Sequence, residues 1–134
     1  MRYLFNTRTT TSGIRFAKAN VNNVNGVILL PDDWNTSTYS LSSTNTSNAS
    51  FSSNTLTASQ WSTLEQAGAV FLPAAGWRYM TSVGGVGSES RYWSASYFQM
   101  YYAYTVTFSD SYLRTNDYLN RYQGYSVRVV CPVE

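Results

Sequence analysis

Tyrosine is the side chain whose placement says most about the chemistry of this 134-residue chain. Nine of the twelve tyrosines lie within residues 91–128, among Ser, Thr, Asn and Asp, and this stretch contains no lysine and no glutamate. Tyrosine offers a large amphipathic contact at a small cost in rotamer entropy, and short polar side chains add adaptable hydrogen bonds. The composition therefore predicts a binding surface rather than a reaction centre.

Side chains that commonly carry catalysis are scarce. The chain has no histidine and a single cysteine, Cys131, which excludes intrachain disulfides, the usual zinc ligand sets and every histidine-dependent triad. Glycoside hydrolysis needs two carboxyl groups that face each other across a cleft, whereas Asp32 and Asp33 adjoin Pro31 in a predicted turn. We therefore expect no enzymatic activity, no catalytic residues, no bound metal and no cofactor.

The remaining motifs do not indicate binding of nucleotides or nucleic acids. Gly84, Gly85 and Gly87 are not followed by the Gly-Lys-Ser or Gly-Lys-Thr of a phosphate-binding loop, so tight turns explain them better. The net charge is +2 and the basic residues are scattered, whereas a nucleic-acid interface needs clustered positive charge. No apolar run approaches the ~20 residues that span a bilayer, so we expect no membrane insertion by this domain.

The first half of the chain carries patterns of short elements. Residues 2–9 are typical of the end of a short helix, and residues 14–17 and 24–30 of two short strands or one hairpin. Residues 35–54 are almost entirely Ser, Thr and Asn, which favours a long loop. Residues 69–72 predict a buried strand that ends at a proline.

A capping box predicts one helix. The hydroxyl of Thr57 is placed to accept from the N–H of Gln60, whose side chain reaches back to the N–H of Thr57. Trp61 then falls on the buried face of the helix, and Gly68 is placed to end it in a left-handed conformation.

The tyrosine-rich stretch also contains strand patterns. Tyr104, Val106 and Phe108 alternate with two threonines, which predicts a strand with one face in the core and the other face exposed. We interpret residues 109–123 as a second polar passage. The valines of residues 125–130 predict a closing strand that ties the C-terminus into the sheet.

Six segments occur in a characteristic order along the chain. They are RFAKAN (15–20), GVILLPD (26–32), LTASQW (56–61), GAVFLPAAG (68–76), RYWS (91–94) and GYSVR (124–128). In this order, and with the closing Gly-x-Ser-Val-Arg element, the chain resembles the variable proteins of diversity-generating retroelements, in the form found in gut Bacteroidetes and their phages. The resemblance spans nearly the whole chain.

The resemblance implies an α+β protein with a C-type lectin-like fold, in which a mixed, mainly antiparallel sheet is accompanied by two helices and long loops. It implies a single domain over residues 1–134, the C-terminal ligand-binding part of a longer protein, with residues 91–128 as a variable display region. It also implies extracellular display on a phage virion or a bacterial cell surface.

The family's rewriting chemistry singles out the positions that vary. Template adenines are copied to any base, so an AAC codon yields Tyr, Ser, Thr, Asp, Arg, Leu, Phe or Asn, but not Lys, Glu, Gln, Met or Trp. Gln99, Met100 and Gln123 are therefore not products of such a codon. Sixteen positions of the stretch carry residues that such a codon can encode, and we predict that they bind the ligand from one exposed face. They are Tyr97, Phe98, Tyr101, Tyr102, Thr105, Thr107, Ser109, Ser111, Tyr112, Arg114, Asn116, Asp117, Tyr118, Leu119, Asn120 and Tyr122.

Other positions in the same stretch match the invariant scaffold of the family. We predict that they lie in the core and outside the binding site. They are Trp93, Ala103, Tyr104, Val106, Phe108, Leu113, Val127 and Val129.

The implied fold brings rival functions. Calcium-dependent lectins use Glu-Pro-Asn and Trp-Asn-Asp to supply the six to eight oxygens of the ion, and neither tripeptide occurs here. Formylglycine-generating enzymes depend on paired cysteines, whereas Cys131 is alone. We therefore predict a receptor or adhesion domain that binds a macromolecular surface, a protein or a glycan. A structural tail-fibre or fimbrial-tip domain and a calcium-independent carbohydrate-binding module stay open as alternatives.

Overall fold

The first of two sheets is built from the N-terminal half of the chain. The computed structural model describes residues 1–128. Four strands form this sheet: β1 (Phe16–Val21), β2 (Val24–Leu29), β3 (Thr55–Leu56) and β4 (Val70–Pro73). Strands β1 and β2 form an antiparallel hairpin, β3 lies parallel to β1, and β4 lies antiparallel to β2. The predicted hairpin and the predicted strand near residue 70 are thus confirmed.

The second sheet is built from the C-terminal half. Its strands are β5 (Ala75–Tyr79), β6 (Ser82–Val86), β7 (Glu89–Gln99), β8 (Tyr102–Ser109) and β9 (Leu113–Asn120), in the spatial order β6-β5-β7-β8-β9. Strands β7, β8 and β9 form an antiparallel meander. Gly84 lets the hairpin of β5 and β6 close, because a Cβ at this position would collide with the ring of Trp77.

Three helical segments accompany the sheets within residues 1–128. A π-helical turn covers Tyr3–Thr7, a 3-10 turn covers Phe51–Ser53 at the end of the predicted loop, and helix α1 covers Ala58–Gln66. The capping box of α1 is confirmed: the N–H of Gln60 donates to Thr57 Oγ1 at 3.2 Å, and the N–H of Thr57 donates to Gln60 Oε1 at 2.8 Å. Gly68 follows with a φ of +92°, which is the left-handed conformation predicted. The observed class is α+β, with strands predominating.

Two apolar clusters place the first sheet between α1 and the second sheet. Adjacent residues of a strand point to opposite faces, and Val27 and Ile28 of β2 accordingly belong to different clusters. Val27 shares a cluster with Val106 and Phe108 of β8, and Ile28 shares the other with Leu64 of α1. All five side chains are fully buried. One face of the meander is therefore fixed to a packed core.

The structure corrects two expectations about the sheets. The strands form two sheets and not one. The predicted polar passage over residues 109–123 contains strand β9, because Leu113 and Thr115 are buried and tie this segment to the core.

The part of the predicted closing strand that the structure describes, residues 125–128, pairs through an isolated backbone bridge, and a second bridge precedes it. Gly124 pairs with Arg78 of β5, and Ser126 pairs with Tyr92 of β7. The side chain of Val127 is 65% exposed, so the prediction that it lies in the core is wrong. Val129 and Cys131 lie outside the described residues.

Candidate functional site at the aromatic end of the second sheet

Exposed aromatic side chains gather at the end of the second sheet where β7 turns into β8. Tyr97, Tyr101 and Tyr122 are 68–70% exposed, and Tyr118 is 51% exposed. The end of β9 joins this group, since the N–H of Arg121 donates to the carbonyl oxygen of Tyr101 at 2.9 Å. Exposed apolar surface that is contiguous marks interaction sites. We call the following residues the aromatic end: Tyr97, Phe98, Tyr101, Tyr102, Tyr118 and Tyr122.

Irregular pairing of β7 shapes the aromatic end. Between Trp93 and Tyr97 strand β7 advances four residues while β8 advances two, from Thr105 to Ala103. A second irregularity follows between Tyr97 and Gln99. Bulges bend a strand, leave residues unpaired and are frequent beside functional sites. The sheet therefore departs from a flat surface where the tyrosines are exposed.

Two clefts flank the bulge, and Ser94 and Ser96 line both of them. The larger cleft, of about 400 Å³, has aromatic walls. In these walls Phe98 stacks on Tyr118 with ring centroids 4.3 Å apart and meets Tyr104 edge-on at 5.2 Å. The smaller cleft has a volume of about 280 Å³. An aromatic cleft of a few hundred Å³ that carries a few polar groups is typical of binding sites.

Four predicted binding residues lie at the opposite end of the sheet. They surround the turn between β8 and β9 and comprise Ser109, Ser111, Tyr112 and Arg114. Strand β8 runs from Tyr102 to Ser109, and seven residue steps of extended chain span about 23 Å. The structure thus divides the predicted positions between two ends of the sheet and does not gather them on one face.

The turn between β8 and β9 is attached to the rest of the protein by a buried lysine and an exposed aspartate. Lys18 of β1 is fully buried, and its Nζ donates to the carbonyl oxygens of Ser109 at 2.7 Å and Asp110 at 3.3 Å. The Asp110 carboxylate accepts from the Ser50 hydroxyl and from the Phe51 N–H, both at 2.7 Å. We call the following residues the tethered end: Lys18, Glu89, Ser109, Asp110 and Tyr112.

The charges at the tethered end perturb each other's ionisation. Burial lowers the pKa of Lys18 to about 8, and the negative charge of Asp110 opposes that shift. The backbone N–H of Phe51 and the hydroxyl of Ser50 hold the pKa of Asp110 below its usual value. The lysine and the aspartate therefore both serve to fix the turn.

Glu89 holds Tyr112 from the side of β7. The Tyr112 hydroxyl donates to Glu89 Oε2 at 3.1 Å, Trp77 Nε1–H donates to the other carboxylate oxygen, and the Arg91 guanidinium lies 3.7 Å away. Burial and the charge of Glu89 raise the pKa of Tyr112. Because its hydroxyl is engaged within the chain, Tyr112 packs against the frame and is not displayed.

Thr105 and Thr107 do not lie on an exposed face, which corrects the alternation predicted for β8. Thr105 is 0% exposed and Thr107 is 4% exposed. Strand β8 is the central strand of the meander, and cross-strand neighbours share a face. Thr107 pairs with Arg91 and Thr105 pairs with Trp93, so large side chains flank each threonine. The Thr107 hydroxyl also donates to the carboxylate of Asp117 at 2.5 Å.

The remaining predicted positions lie along β9. Asn116 is exposed and lines the larger cleft. Asp117 is half-buried, and its carboxylate lies 4.0 Å from the guanidinium of Arg114. Leu119 and Asn120 are half-buried beside the aromatic end.

The predicted scaffold positions differ in their burial. Val106, Phe108 and Leu113 are buried as predicted. Trp93, Ala103 and Tyr104 are only half-buried near the aromatic end, and Val127, in the predicted closing strand, is exposed.

Sequence reasoning did not identify Lys18, Glu89 or Arg121 as functional or structural residues. Lys18 carries a usable signal, because it is the only lysine of the chain and lies within an apolar run; a charged residue in such a place needs a partner. Glu89 and Arg121 stand in polar surroundings that give no such signal.

Comparison of the chain with protein-family models, with curated proteins and with solved structures finds no match. Over residues 1–128, no helix is long and apolar enough to cross a membrane. The same residues contain no group of three or more acidic, histidine or cysteine side chains placed to hold a metal ion. The candidate site is therefore defined by the geometry of the aromatic end itself.

Proposed function

We propose that this chain is a hypervariable ligand-binding domain with a C-type lectin-like fold, diversified by a retroelement, and that its aromatic end binds a protein on a macromolecular surface. The observation that carries the proposal is the exposure of Tyr97, Tyr101 and Tyr122 on a sheet whose opposite face packs against a core. Tyrosines that a partner desolvates are typical hot spots, and each contributes on the order of 1–3 kcal/mol to binding.

The codon pattern is compatible with rewriting of the aromatic end. All six of its residues can be encoded by a rewritten AAC codon. The resemblance assigns the buried residues Val106 and Phe108 to the scaffold, whereas Thr105 and Thr107 are buried at positions that it assigns to the rewritten set. A retroelement that rewrites surface positions and spares core positions produces new binding surfaces on a frame that still folds.

The proposal gives the domain a binding role without catalysis. It places the domain at the outer end of a longer protein on a virion or a bacterial cell surface, where contact with a partner decides attachment. Positions that are rewritten at random do not retain the acid and base that a reaction requires.

The genome that encodes the chain tests the proposal directly. We expect an adenine-rich near-copy of the coding segment for residues 91–128, located beside a gene for a reverse transcriptase. Mismatches between the two copies should fall on the codons of Tyr97, Tyr101 and Tyr122 and spare those of Val106 and Phe108. A genome without such a copy, or with mismatches spread evenly over core and surface codons, would refute the retroelement origin.

An exposed edge strand favours a second candidate, a structural tail or fimbrial-tip domain. Strand β6 is an edge of the second sheet, and the side chains of Met80, Val83 and Val86 at this edge are 63–74% exposed. Unprotected edges of this kind pair readily with other chains. This candidate predicts that Val83→Lys abolishes self-association in sedimentation experiments and that Tyr101→Ser has no effect on attachment. These two results together would favour a structural domain over a ligand-binding domain.

A further inference from the structure

The smaller cleft beside the bulge in β7 has the composition of a binding site. Its volume is about 280 Å³, and it lies between Trp93 and Tyr97, with the small side chain of Ala103 leaving the space open. Arg121, at the end of β9, also lines it. The cleft is thus large enough for a single side chain of a partner.

Hydrogen-bond donors dominate the polar part of the lining. Arg121 carries five N–H donors and no acceptor, and the hydroxyls of Ser94 and Ser96 each offer a proton. The N–H of Ser96 donates to Ser94 Oγ at 3.3 Å, which occupies an acceptor site of that hydroxyl. No Asp, Glu, Asn or Gln side chain lines the cleft. The guanidinium of Arg121, which only donates, therefore favours a ligand group that accepts hydrogen bonds and carries a negative charge.

The charge of Arg121 is not balanced by the residues around it. Among residues 1–128, no carboxylate lies within 4.0 Å of its guanidinium, whereas Arg8, Arg91 and Arg114 each have an acidic neighbour. The acids of this part of the chain do not line the cleft; they are Asp32, Asp33, Glu65, Glu89, Asp110 and Asp117. An anionic group in the cleft would therefore be attracted by Arg121 and would not be repelled by an acidic side chain in the lining.

Trp93 and Tyr97 form aromatic walls of the cleft. Trp93 is held in place by Tyr125, with ring centroids 4.6 Å apart, and its backbone N–H donates to the carbonyl oxygen of Ser126 at 3.1 Å. Tyr97 forms a wall that is open to solvent. Because the cleft is open to solvent, pairing of a carboxylate with Arg121 depends on the planar, bidentate geometry of the guanidinium and not on a low dielectric constant.

We propose that this cleft binds the carboxylate of an aspartate or glutamate side chain on a protein partner. The proposal rests on the proposed function, because it names the residue class that the partner of the aromatic end presents. A neutral sugar ring fits the lining less well, because it carries no negative charge to pair with the guanidinium of Arg121.

A matched pair of small molecules tests the proposal by NMR. The ¹⁵N-labelled domain is titrated with glutamate blocked as the N-acetyl N-methylamide and, in parallel, with the equally blocked glutamine, which has the same shape and no charge. We expect the blocked glutamate to shift the backbone resonances of Ala95 and Ser96 and the Nε–Hε resonance of Arg121 in a saturable manner, with a Kd on the order of 10 mM. The blocked glutamine should give no saturable shift.

Three variants identify the group that recognises the carboxylate. Arg121→Gln should abolish the saturable shift, and Arg121→Lys should weaken binding about fivefold, because lysine keeps the charge and loses the planar fork. Arg78→Gln serves as the matched control, since Arg78 is exposed and lies outside this cleft; its Kd should stay within about twofold of the parent value.

Three results would overturn the proposal. They are equal shifts with blocked glutamine, saturable shifts that persist in Arg121→Gln, and saturation of the same resonances by glucuronate at a lower concentration than by blocked glutamate. The last result would assign the cleft to acidic sugars. Tyr101 and Tyr122 do not line this cleft, so a failed titration combined with intact attachment that depends on those two tyrosines rejects only the carboxylate site.

Discussion

The aromatic end and the tethered end lie about 23 Å apart on the same three strands, yet they use tyrosine in opposite ways. At the tethered end the hydroxyl of Tyr112 donates to Glu89, and the adjoining turn is held by buried Lys18. At the aromatic end Tyr101 is 68% exposed. A tyrosine-rich composition thus predicts a binding surface, but the hydrogen-bond partner of each hydroxyl decides which tyrosines are exposed.

The largest loss of stability is expected from a substitution in the apolar core that packs under the second sheet. Phe108 is fully buried and packs against Phe51 and Tyr92, with ring centroids 6.4 Å and 6.0 Å apart. Phe108→Ala should lower the free energy of unfolding by about 4 kcal/mol, because it removes a buried ring and leaves a cavity. Urea denaturation followed by tryptophan fluorescence measures this change. A loss below about 1 kcal/mol would show that the core does not support the meander.

A smaller effect, restricted to the tethered end, should appear as a pH dependence. The pKa of Lys18 is about 8 in the folded protein, whereas a lysine in the unfolded chain has the ordinary value of 10.5. Between these values the unfolded chain binds more protons, so the free energy of unfolding rises with pH. From pH 7 to pH 9.5 the rise is about 2 kcal/mol, and Lys18→Met should remove it.

Urea denaturation of the parent and Lys18→Met proteins at both pH values gives the comparison. The upper limit of pH 9.5 matters, because burial raises the pKa of Tyr92 and Tyr112. Raised tyrosine pKa values make stability fall with pH above about 10 in both proteins. Equal slopes for the two proteins between pH 7 and pH 9.5 would show that Lys18 does not titrate as described.

Removing one hydroxyl at the tethered end should have a still smaller effect. Tyr112→Phe keeps the ring and loses the hydrogen bond to Glu89, whose carboxylate retains Trp77 and Arg91 as partners. We expect a loss of about 1 kcal/mol in the free energy of unfolding and unchanged ligand binding. If the variant keeps its stability and loses ligand binding, Tyr112 contacts the ligand and does not stabilise the fold.

The smallest effect on stability is expected at the aromatic end. Tyr97→Ser, Tyr101→Ser and Tyr122→Ser should each change the free energy of unfolding by no more than about 0.5 kcal/mol, because these side chains are largely exposed. Thermal melts monitored by circular dichroism measure this. A loss above about 2 kcal/mol in any one variant would assign that tyrosine to the frame.

Local patterns predicted the elements better than they predicted the surface. The capping box at Thr57 and the hairpin of β1 and β2 depend on residues close in sequence, and both are confirmed. The exposure of side chains on β8 depends on which strands flank it. The alternation of apolar residues and threonines along β8 contains no information about those neighbouring strands. Thr105 and Thr107 therefore look exposed in the sequence and are buried in the fold.

The division of the site into two ends follows from long-range contacts that no local pattern encodes. Lys18 reaches a turn 91 residues further along the chain, and Glu89 lies 23 residues from Tyr112. Composition correctly marks the tyrosine-rich stretch as unusual. Only the strand register shows that residues of this stretch lie at opposite ends of the sheet, where they contact different parts of the protein.

A comparison of two display libraries tests the central claim most directly. One library diversifies Tyr97, Tyr101, Tyr118 and Tyr122; the other diversifies Ser109, Ser111, Tyr112 and Arg114. Both are displayed on yeast, checked for folding by protease resistance and selected against the same test protein, lysozyme. Our account predicts that the first library stays folded and yields binders with micromolar or better Kd, while the second loses protease resistance and yields none. Binders from the second library alone, or unfolding of the first, would contradict it.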